Sequence, residues 1–139
     1  MIAYLDSSVL LRVILGQADR LEEWPSIGGG VASALVEVEC LRTLDRVRLR
    51  AGLSPEELAS LREAVFRLSE EMVVIEPSSA ILNRAAQPLP TPLGTLDAVH
   101  LSTALLWREG QGVDLVMATH DRALATAARA SGLRVVGLG

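Results

Sequence analysis

Short apolar runs alternate with longer helical patterns along the whole chain, and this alternation restricts the fold more than any other feature. Helices are predicted where apolar residues recur at three- and four-residue spacing. Strands that alternate with helices form a parallel sheet covered by helices on both faces. The sequence therefore predicts a three-layer α/β/α sandwich around a mostly parallel sheet. The predicted strands cover residues 2–5, 31–32, 72–75, 114–118 and 134–137.

Several helix boundaries carry local signals. Ser54, Pro55 and Glu57 stand at the N-cap, N1 and N3 positions that begin a helix, and Gly52 ends the preceding one. Pro25 is expected to stop a short helix, and Ser7 or Ser8 to cap the first one. The predicted helices cover about residues 7–15, 18–24, 33–52, 55–71, 78–86, 96–108 and 122–131.

The size and composition of the chain indicate one globular domain over residues 1–139. No apolar stretch reaches the roughly 18 to 20 residues needed to span a bilayer. Cys40 is the single cysteine, which excludes a disulfide framework and a thiolate zinc site. The N-terminus has no basic region of the kind that opens a signal peptide. We therefore expect a cytoplasmic protein with no membrane association.

The charged residues exclude several kinds of chemistry. The formal net charge is −4, which argues against a general nucleic-acid coat that works by neutralising phosphates. All 13 basic residues are arginine, so no mechanism that needs a lysine for a Schiff base or a phosphate contact is open to this chain. An acidic nuclease pocket neutralised by bound metal remains compatible with this charge.

Four carboxylates lie where strands or loops lead into helices. Asp6, Asp97 and Asp121 each stand at the start of a predicted helix, and Glu39 lies in the second turn of another. The carboxyl ends of parallel strands form the ligand crevice of an open α/β sheet, so residues distant in sequence can meet there. A cluster of acidic oxygens without cysteine is suited to Mg²⁺ or Mn²⁺.

Each of these acids also has a simpler interpretation. Asp6, Asp97 and Asp121 are placed where a carboxylate commonly caps a helix or complements its dipole. Glu39 is beyond the reach of a cap, and its simpler role is a solvated charge on the helix face. Glu37 competes with Glu39, but two residues rotate a side chain by about 200° around a helix, so the two point in nearly opposite directions.

The combined pattern resembles the PIN-domain ribonucleases, and in particular the VapC-type toxins of bacterial toxin–antitoxin pairs. The resemblance covers nearly the whole chain. It is carried by YLDSS at 4–8, SALVEVECLR at 33–42, TLDAVHLSTA at 95–104, THDRALATAA at 119–128 and GLRV at 132–135. The segment at 95–104 is the strongest of these, and their order and spacing together are more specific than any one of them.

This resemblance implies a metal-dependent endoribonuclease that hydrolyses RNA with Mg²⁺ or Mn²⁺ and leaves a 5′-phosphate and a 3′-hydroxyl. The implied catalytic and metal-binding residues are Asp6, Glu39, Asp97 and Asp121. Glu39 is preferred to Glu37 because the family pattern has an arginine three residues after its glutamate. Ser7 or Ser8 would match the small hydroxyl that supports the first aspartate. The implied partners are an RNA substrate, a cognate antitoxin protein and a second copy of the chain in a homodimer.

Other functions fit the sequence less well. A receiver-like phosphoacceptor domain requires a lysine, and a haloacid-dehalogenase-like phosphatase requires Asp-x-Asp, whereas Asp6 is followed by Ser7 and Ser8. A non-catalytic PIN-like module that binds a protein partner is the main alternative, although a scaffold has no reason to keep four repelling acids. A DNA substrate stays open as well. His100 is expected to be a packed core residue, and His120 to border the pocket.

Overall fold

The computed structural model describes residues 1–138 and contains five strands in a single parallel sheet, in the order β3-β2-β1-β4-β5. The strands are Ile2–Leu5 (β1), Gly29–Ser33 (β2), Val73–Ile75 (β3), Leu115–Ala118 (β4) and Arg134–Val136 (β5). The helices are Ser7–Ile14 (α1), Leu35–Ala51 (α2), Pro55–Glu71 (α3), Ser79–Ala85 (α4), Thr95–Gln111 (α5) and Arg122–Ala130 (α6). The predicted α/β fold with a parallel sheet is confirmed.

Buried residues on the two faces of the sheet form two separate cores. On one face, Leu5 packs with Val9 of α1, Leu44 of α2 and Val65 of α3. On the other face, Tyr4 packs with residues of α5 and α6 that include Leu101, Leu105 and Leu124. Successive residues of β1 point to opposite faces because side chains alternate along a strand. The three layers therefore follow from the alternation of the central strand.

The strand order reverses direction between β1 and β4. Leu5 pairs with Ala118 at the carboxyl ends of these two strands, and the backbone N–H of Asp6 donates to the carbonyl of Ala118 at 3.2 Å. The chain leaves the two strands toward opposite edges of the sheet, which opens a crevice beyond their carboxyl ends. The segments that follow β1 and β4 therefore face each other across this crevice.

Helix boundaries with strong local signals agree with the prediction. Ser54 and Glu57 form a reciprocal capping box, with hydrogen bonds of 3.1 Å in each direction. Gly52 ends α2 with a φ of 63°, a conformation that glycine adopts without steric cost. One side of α3 packs into the core, with Val65 buried and Leu58, Leu61 and Leu68 partly buried.

Other boundaries were predicted wrongly. Residues 18–23 form turns and not a helix, and Pro25 lies inside a short 3₁₀ helix, Trp24–Ser26. Proline is compatible with that position because the first turn of a helix leaves its N–H groups unpaired. Ser33 ends β2 instead of beginning α2. Its hydroxyl accepts the N–H of Leu35 at 3.2 Å.

Among the helices within residues 1–138, none combines the length and the apolar character needed to cross a lipid bilayer.

Candidate active site

The crevice at the reversal of strand order gathers the four predicted carboxylates. Asp6 directly follows β1, Asp121 directly precedes α6, Asp97 lies in the first turn of α5, and Glu39 lies in the second turn of α2. The charges of Asp121, Asp6 and Glu39 all act on the carboxyl group of Asp97. The structure thus brings together four acids that are separated by up to 115 residues in sequence, from 6 to 121.

The surroundings of Asp97 disfavour its charged form. Burial and then the negative charges of Asp121 and Asp6 raise its pKa from the ordinary 3.8 to about 6, with a smaller contribution from Glu39. His100 opposes the shift but does not cancel it. Beside burial, the carboxylates that raise this pKa outweigh His100, so the acids are not neutralised by this neighbouring cation. Such a pocket is electrostatically prepared for an added cation.

Asp6 is held by hydroxyl groups. It is 4% exposed, and its Oδ2 accepts hydrogen bonds from Ser8 Oγ at 2.8 Å and Thr119 Oγ1 at 2.7 Å. Ser7 Oγ makes a longer contact of 3.5 Å with Oδ1. Asp6 occupies the N-cap position of α1, but its side chain does not cap the helix. The interpretation of Asp6 as a helix cap is therefore wrong, and so is the expectation that Ser7 or Ser8 provides the cap.

The hydroxyls of Ser8 and Thr119 also connect the segments that follow β1 and β4. Ser8 Oγ accepts the backbone N–H of His120 at 3.0 Å, and Thr119 Oγ1 accepts the backbone N–H of Asp121 at 2.9 Å. Each hydroxyl therefore donates to Asp6 and accepts from the segment after β4. This pattern fixes Asp6 relative to Asp121, and it leaves Oδ1 as the less engaged oxygen of Asp6.

Asp121 does cap its helix. Its Oδ1 accepts the backbone N–H of Leu124 at 2.9 Å, so the simple interpretation of this residue is correct for one of its two oxygens. The other oxygen, Oδ2, accepts no hydrogen bond from another residue of 1–138. Capping and ligation are compatible because a carboxylate has two oxygens and several acceptor sites.

Glu39 is held by a buried histidine. His100 is fully buried, its Nε2 donates to Glu39 Oε1 at 2.5 Å, and its Nδ1 lies 2.7 Å from the hydroxyl of Tyr4. Burial lowers the pKa of His100, but the hydrogen bond to Glu39 and the charges of Glu39 and Asp6 outweigh it, so the pKa is raised. His100 is a core residue, as expected. Its contact with Glu39 was not predicted.

The oxygen-only donor set fits a hard divalent cation better than a soft one. Within residues 1–138, however, no three acidic, histidine or cysteine side chains already form a ready-made metal site. Burial and the neighbouring carboxylates already raise the pKa of Asp97, so a closer approach of these acids without a cation would be unfavourable. Binding a cation would require these side chains to draw together by rotation about their side-chain torsions.

A cleft of about 520 Å³ adjoins Asp121 through its sequence neighbours, although none of the four acids lines it. His120 lines this cleft, and its Nδ1 donates to the carbonyl of Gly137 at 2.7 Å. Three arginines share the lining, and Arg12 is paired with Asp19 at 3.1 Å. The arginines are Arg12, Arg20 and Arg122. Three acids line the same cleft, so the formal charges of its lining balance; they are Asp19, Glu22 and Glu23.

The family of the chain follows from comparison with known proteins. The PIN domain family matches residues 3–131. The chain belongs to the PIN domain family. It is 31% identical over 137 residues to Ribonuclease VapC46 of Mycobacterium tuberculosis, an alignment that covers 96% of this chain and 95% of that protein. The resemblance seen in the sequence motifs is therefore confirmed at the level of the family.

Solved structures share the fold. A toxin–antitoxin complex from Klebsiella pneumoniae matches with a TM-score of 0.68 and 16% identity, over 98% of this chain and 96% of that one. VapBC-1 from nontypeable Haemophilus influenzae matches with a TM-score of 0.60 and 17% identity, over 97% and 96% of the two chains. At these identities the match establishes the PIN fold alone.

Three residues of the site were not predicted as functional from sequence. Thr119 begins the motif at 119–128, and its place directly after a buried strand is the sequence signal for a contact with Asp6. Tyr4 precedes Asp6 by two residues and so points to the same face of the strand. His100 lies three residues after Asp97, on the same side of α5.

Proposed function

We propose that this PIN-domain protein is a divalent-metal-dependent endoribonuclease that serves as the toxin of a type II toxin–antitoxin pair. The observation that carries the proposal is the convergence of Asp6, Glu39, Asp97 and Asp121 at the point where the strand order reverses. The raised pKa of Asp97 supports it, because a cluster of unneutralised carboxylates is costly without a cation. Similarity to a VapC ribonuclease over almost the whole chain supports the RNA substrate.

The acids would divide the binding of Mg²⁺ or Mn²⁺ between them. Asp6 and Asp97 would contact the cation directly, and Glu39 and Asp121 would complete the site or hold a second ion. The chemistry supplied by the bound ion is activation of water and neutralisation of charge on the phosphate. Ser8 and Thr119 orient Asp6 through Oδ2, and Ser7 lies beside Oδ1. His100 orients Glu39.

The RNA backbone would lie in the cleft that Arg12, Arg20 and Arg122 line. Individual guanidinium groups would bind the phosphates, because arginine offers phosphate oxygens two parallel donors, and the acids that also line the cleft leave its lining without net charge. Asp121 lies between His120 and Arg122 of this lining, so a bound strand could present a phosphodiester to the pocket. Sequence preference would then come from groups beyond these backbone contacts.

The protein partners are proposed from relatives. The solved neighbours include a toxin–antitoxin complex and VapBC-1, and by similarity we expect a cognate antitoxin for this chain. We also propose a homodimer and a cytoplasmic location, the latter supported by the single buried Cys40.

The test is cleavage of a structured RNA mixture by protein purified free of antitoxin, with Mg²⁺ or Mn²⁺ and with EDTA. Wild type is compared with Asp6→Asn, and the matched control is Asp114→Asn, an exposed aspartate whose side chain is 79% accessible. We expect cleavage by wild type and the control that requires metal and is lost in Asp6→Asn. Equal cleavage by all three proteins would indicate a contaminating nuclease and contradict the proposal. A parallel single-stranded DNA substrate tests the choice of nucleic acid.

A non-catalytic PIN-like module is the second candidate. It is favoured by one observation, the absence within residues 1–138 of three side chains already arranged to hold a metal ion. A folded wild type that neither binds Mn²⁺ nor cleaves RNA would support this function over the first.

A further inference from the structure

Three side chains form a hydrogen-bonded line that ends at the candidate site. Tyr4 Oη lies 2.7 Å from His100 Nδ1, and His100 Nε2 lies 2.5 Å from Glu39 Oε1. Tyr4 and His100 are both fully buried, and the side chain of Glu39 is 22% exposed. The line therefore runs from the protein interior to the edge of the pocket. Both nitrogens of the imidazole ring are engaged.

Each member of this line belongs to an element that carries or directly precedes one of the site's acids. Tyr4 lies on β1, two residues before Asp6, and His100 follows Asp97 by three residues on α5. Glu39 is itself the acid of α2. The carboxylates of Asp6, Glu39 and Asp97 repel one another, whereas the hydrogen bonds of this line join β1, α2 and α5, which place them. One buried ring thus connects three parts of the pocket.

Glu39 needs such support more than the other acids. It has the longest side chain of the four, so it has the most torsional freedom to lose when it is held in one place. The carboxylate of Asp6 is held by two hydroxyls and that of Asp121 by a helix N–H. Within residues 1–138, the carboxylate of Glu39 receives its only hydrogen bond from His100. The Tyr4 contact in turn prevents the imidazole from flipping, since a flip would break both hydrogen bonds.

We propose that His100, held in place by Tyr4, is a positioning residue that fixes Glu39 Oε1 and thereby presents the carboxylate for the divalent cation. This inference rests on the proposed function, because it assumes that Glu39 binds the metal. Outer-sphere hydrogen bonds of this kind hold metal ligands in the binding orientation in other metalloproteins.

Two variants of His100 separate positioning from packing. In His100→Gln the side-chain amide reaches about as far as Nε2 and can still donate to Glu39. In His100→Asn it reaches only about as far as Nδ1, so it retains the side facing Tyr4 and loses the donor to Glu39. The two replacements are similarly polar and both disturb the buried site. Tyr4→Phe removes only the hydroxyl. Leu105→Ala, on the same helix, is the control for a loss of core packing.

Affinity for Mn²⁺ is measured without RNA, by electron paramagnetic resonance of the free ion, and thermal unfolding of the metal-free proteins is measured beside it. We expect His100→Asn to bind Mn²⁺ about 10- to 100-fold more weakly than wild type, as loss of an outer-sphere partner does elsewhere. His100→Gln should stay close to wild type, and Tyr4→Phe should lie between them. Leu105→Ala should unfold at a lower temperature with unchanged affinity.

Equal Mn²⁺ affinity in His100→Asn and His100→Gln would overturn the proposal, because it would leave His100 only a packing role. If His100→Asn does not fold, the Mn²⁺ affinity of Tyr4→Phe is the test. An affinity of Tyr4→Phe equal to that of wild type would then overturn the proposal. Loss of affinity in Leu105→Ala as large as in His100→Asn would overturn it as well. A wild type that binds no Mn²⁺ would overturn both this proposal and the proposed function, whereas tight binding by every variant would overturn only the role of His100.

Discussion

Thr119 donates a hydrogen bond of 2.7 Å from its hydroxyl to Oδ2 of Asp6, across the carboxyl ends of the two central strands. The same hydroxyl accepts the backbone N–H of Asp121 at 2.9 Å. Thr119 is fully buried and Asp6 nearly so. A single neutral side chain thus sets the spacing between two acids that repel each other, and the first prediction concerns this contact.

Replacement of Thr119 by valine should destabilise the fold and weaken metal binding. Valine keeps the shape of threonine but leaves the Asp121 N–H unpaired and Asp6 with one donor fewer. The expected loss in free energy of unfolding is about 1–3 kcal/mol, the cost of leaving a buried polar group without its partner. Thr119→Ser, which keeps the hydroxyl, is the control in urea unfolding without metal. Equal losses in the two variants would show that the methyl group and not the hydroxyl is the important part.

Glu39 and Glu37 are expected to differ sharply in function. Glu39 contacts His100 at the acidic pocket, whereas Glu37 lines a separate cavity with Val38 and Val74. Because loss of an outer-sphere partner alone costs about 10–100-fold, removing a ligand charge in Glu39→Gln should reduce the rate of RNA cleavage by more than that. Glu37→Gln should cleave like wild type. Comparable losses in both would mean that the choice of Glu39 is wrong.

The metal-free protein should lose stability as the pH rises through the titration of Asp97. The pKa of this group is raised from 3.8 to about 6 in the folded state, so the folded protein holds the proton more tightly than the unfolded chain does. The stability that the shifted pKa of Asp97 contributes is fully present below pH 3.8 and is lost as the pH rises to about 6. Asp97→Asn lacks this titration, so wild type should lose free energy of unfolding relative to the variant over that interval.

Subtracting the free energy of unfolding of Asp97→Asn from that of wild type removes the effect of the acids that both proteins share. Added Mg²⁺ or Mn²⁺ should restore the stability of wild type above about pH 6, where Asp97 is ionised, and should have little effect on the stability of Asp97→Asn. A difference that does not change with pH would contradict the shifted pKa.

Alanine at Gly137 should be much more disruptive than alanine at Gly16. Gly137 has a φ of 113°, and a Cβ there would lie 2.3 Å from the carbonyl oxygen of Thr119. Gly16 has a φ of 65° with no atom within 4 Å of such a Cβ. Gly16→Ala should therefore lower the free energy of unfolding only by the strain of alanine in the left-handed conformation, about 1–2 kcal/mol. Thermal unfolding compares the two. Similar unfolding temperatures would show that Thr119 can move away without loss.

Local signals explain which elements could be predicted. The capping box of Ser54 and Glu57 and the terminal Gly52 each act within a few residues, and the predicted boundaries there agree with the structure. The helix predicted over residues 18–24 had only Pro25 as a boundary signal, and residues 18–23 form turns before the 3₁₀ helix. A stop signal alone was insufficient because a short segment gains little from a helix that nothing else stabilises.

Asp121 and Asp6 show the same difference between roles set by chain neighbours and roles set by distant contacts. Asp121 caps its helix as its position predicts, because the acceptor and the N–H groups are neighbours in the chain. Asp6 has the same local pattern but turns toward Thr119, 113 residues away, and leaves the helix uncapped. The roles of the four acids in catalysis and metal binding remain predictions until the variants are measured.

The sequence by itself determined the alternation of strands and helices, the strongest helix ends and the family pattern of acidic residues, since each of these depends on neighbours in the chain or on motifs. Only the tertiary structure decided which strands adjoin, which oxygen of each carboxylate is already engaged, and that His100 joins Tyr4 to Glu39. Those features depend on contacts between residues 61 to 113 positions apart. Such contacts form only when the packing of the two cores brings β1, α2, α5 and the end of β4 together.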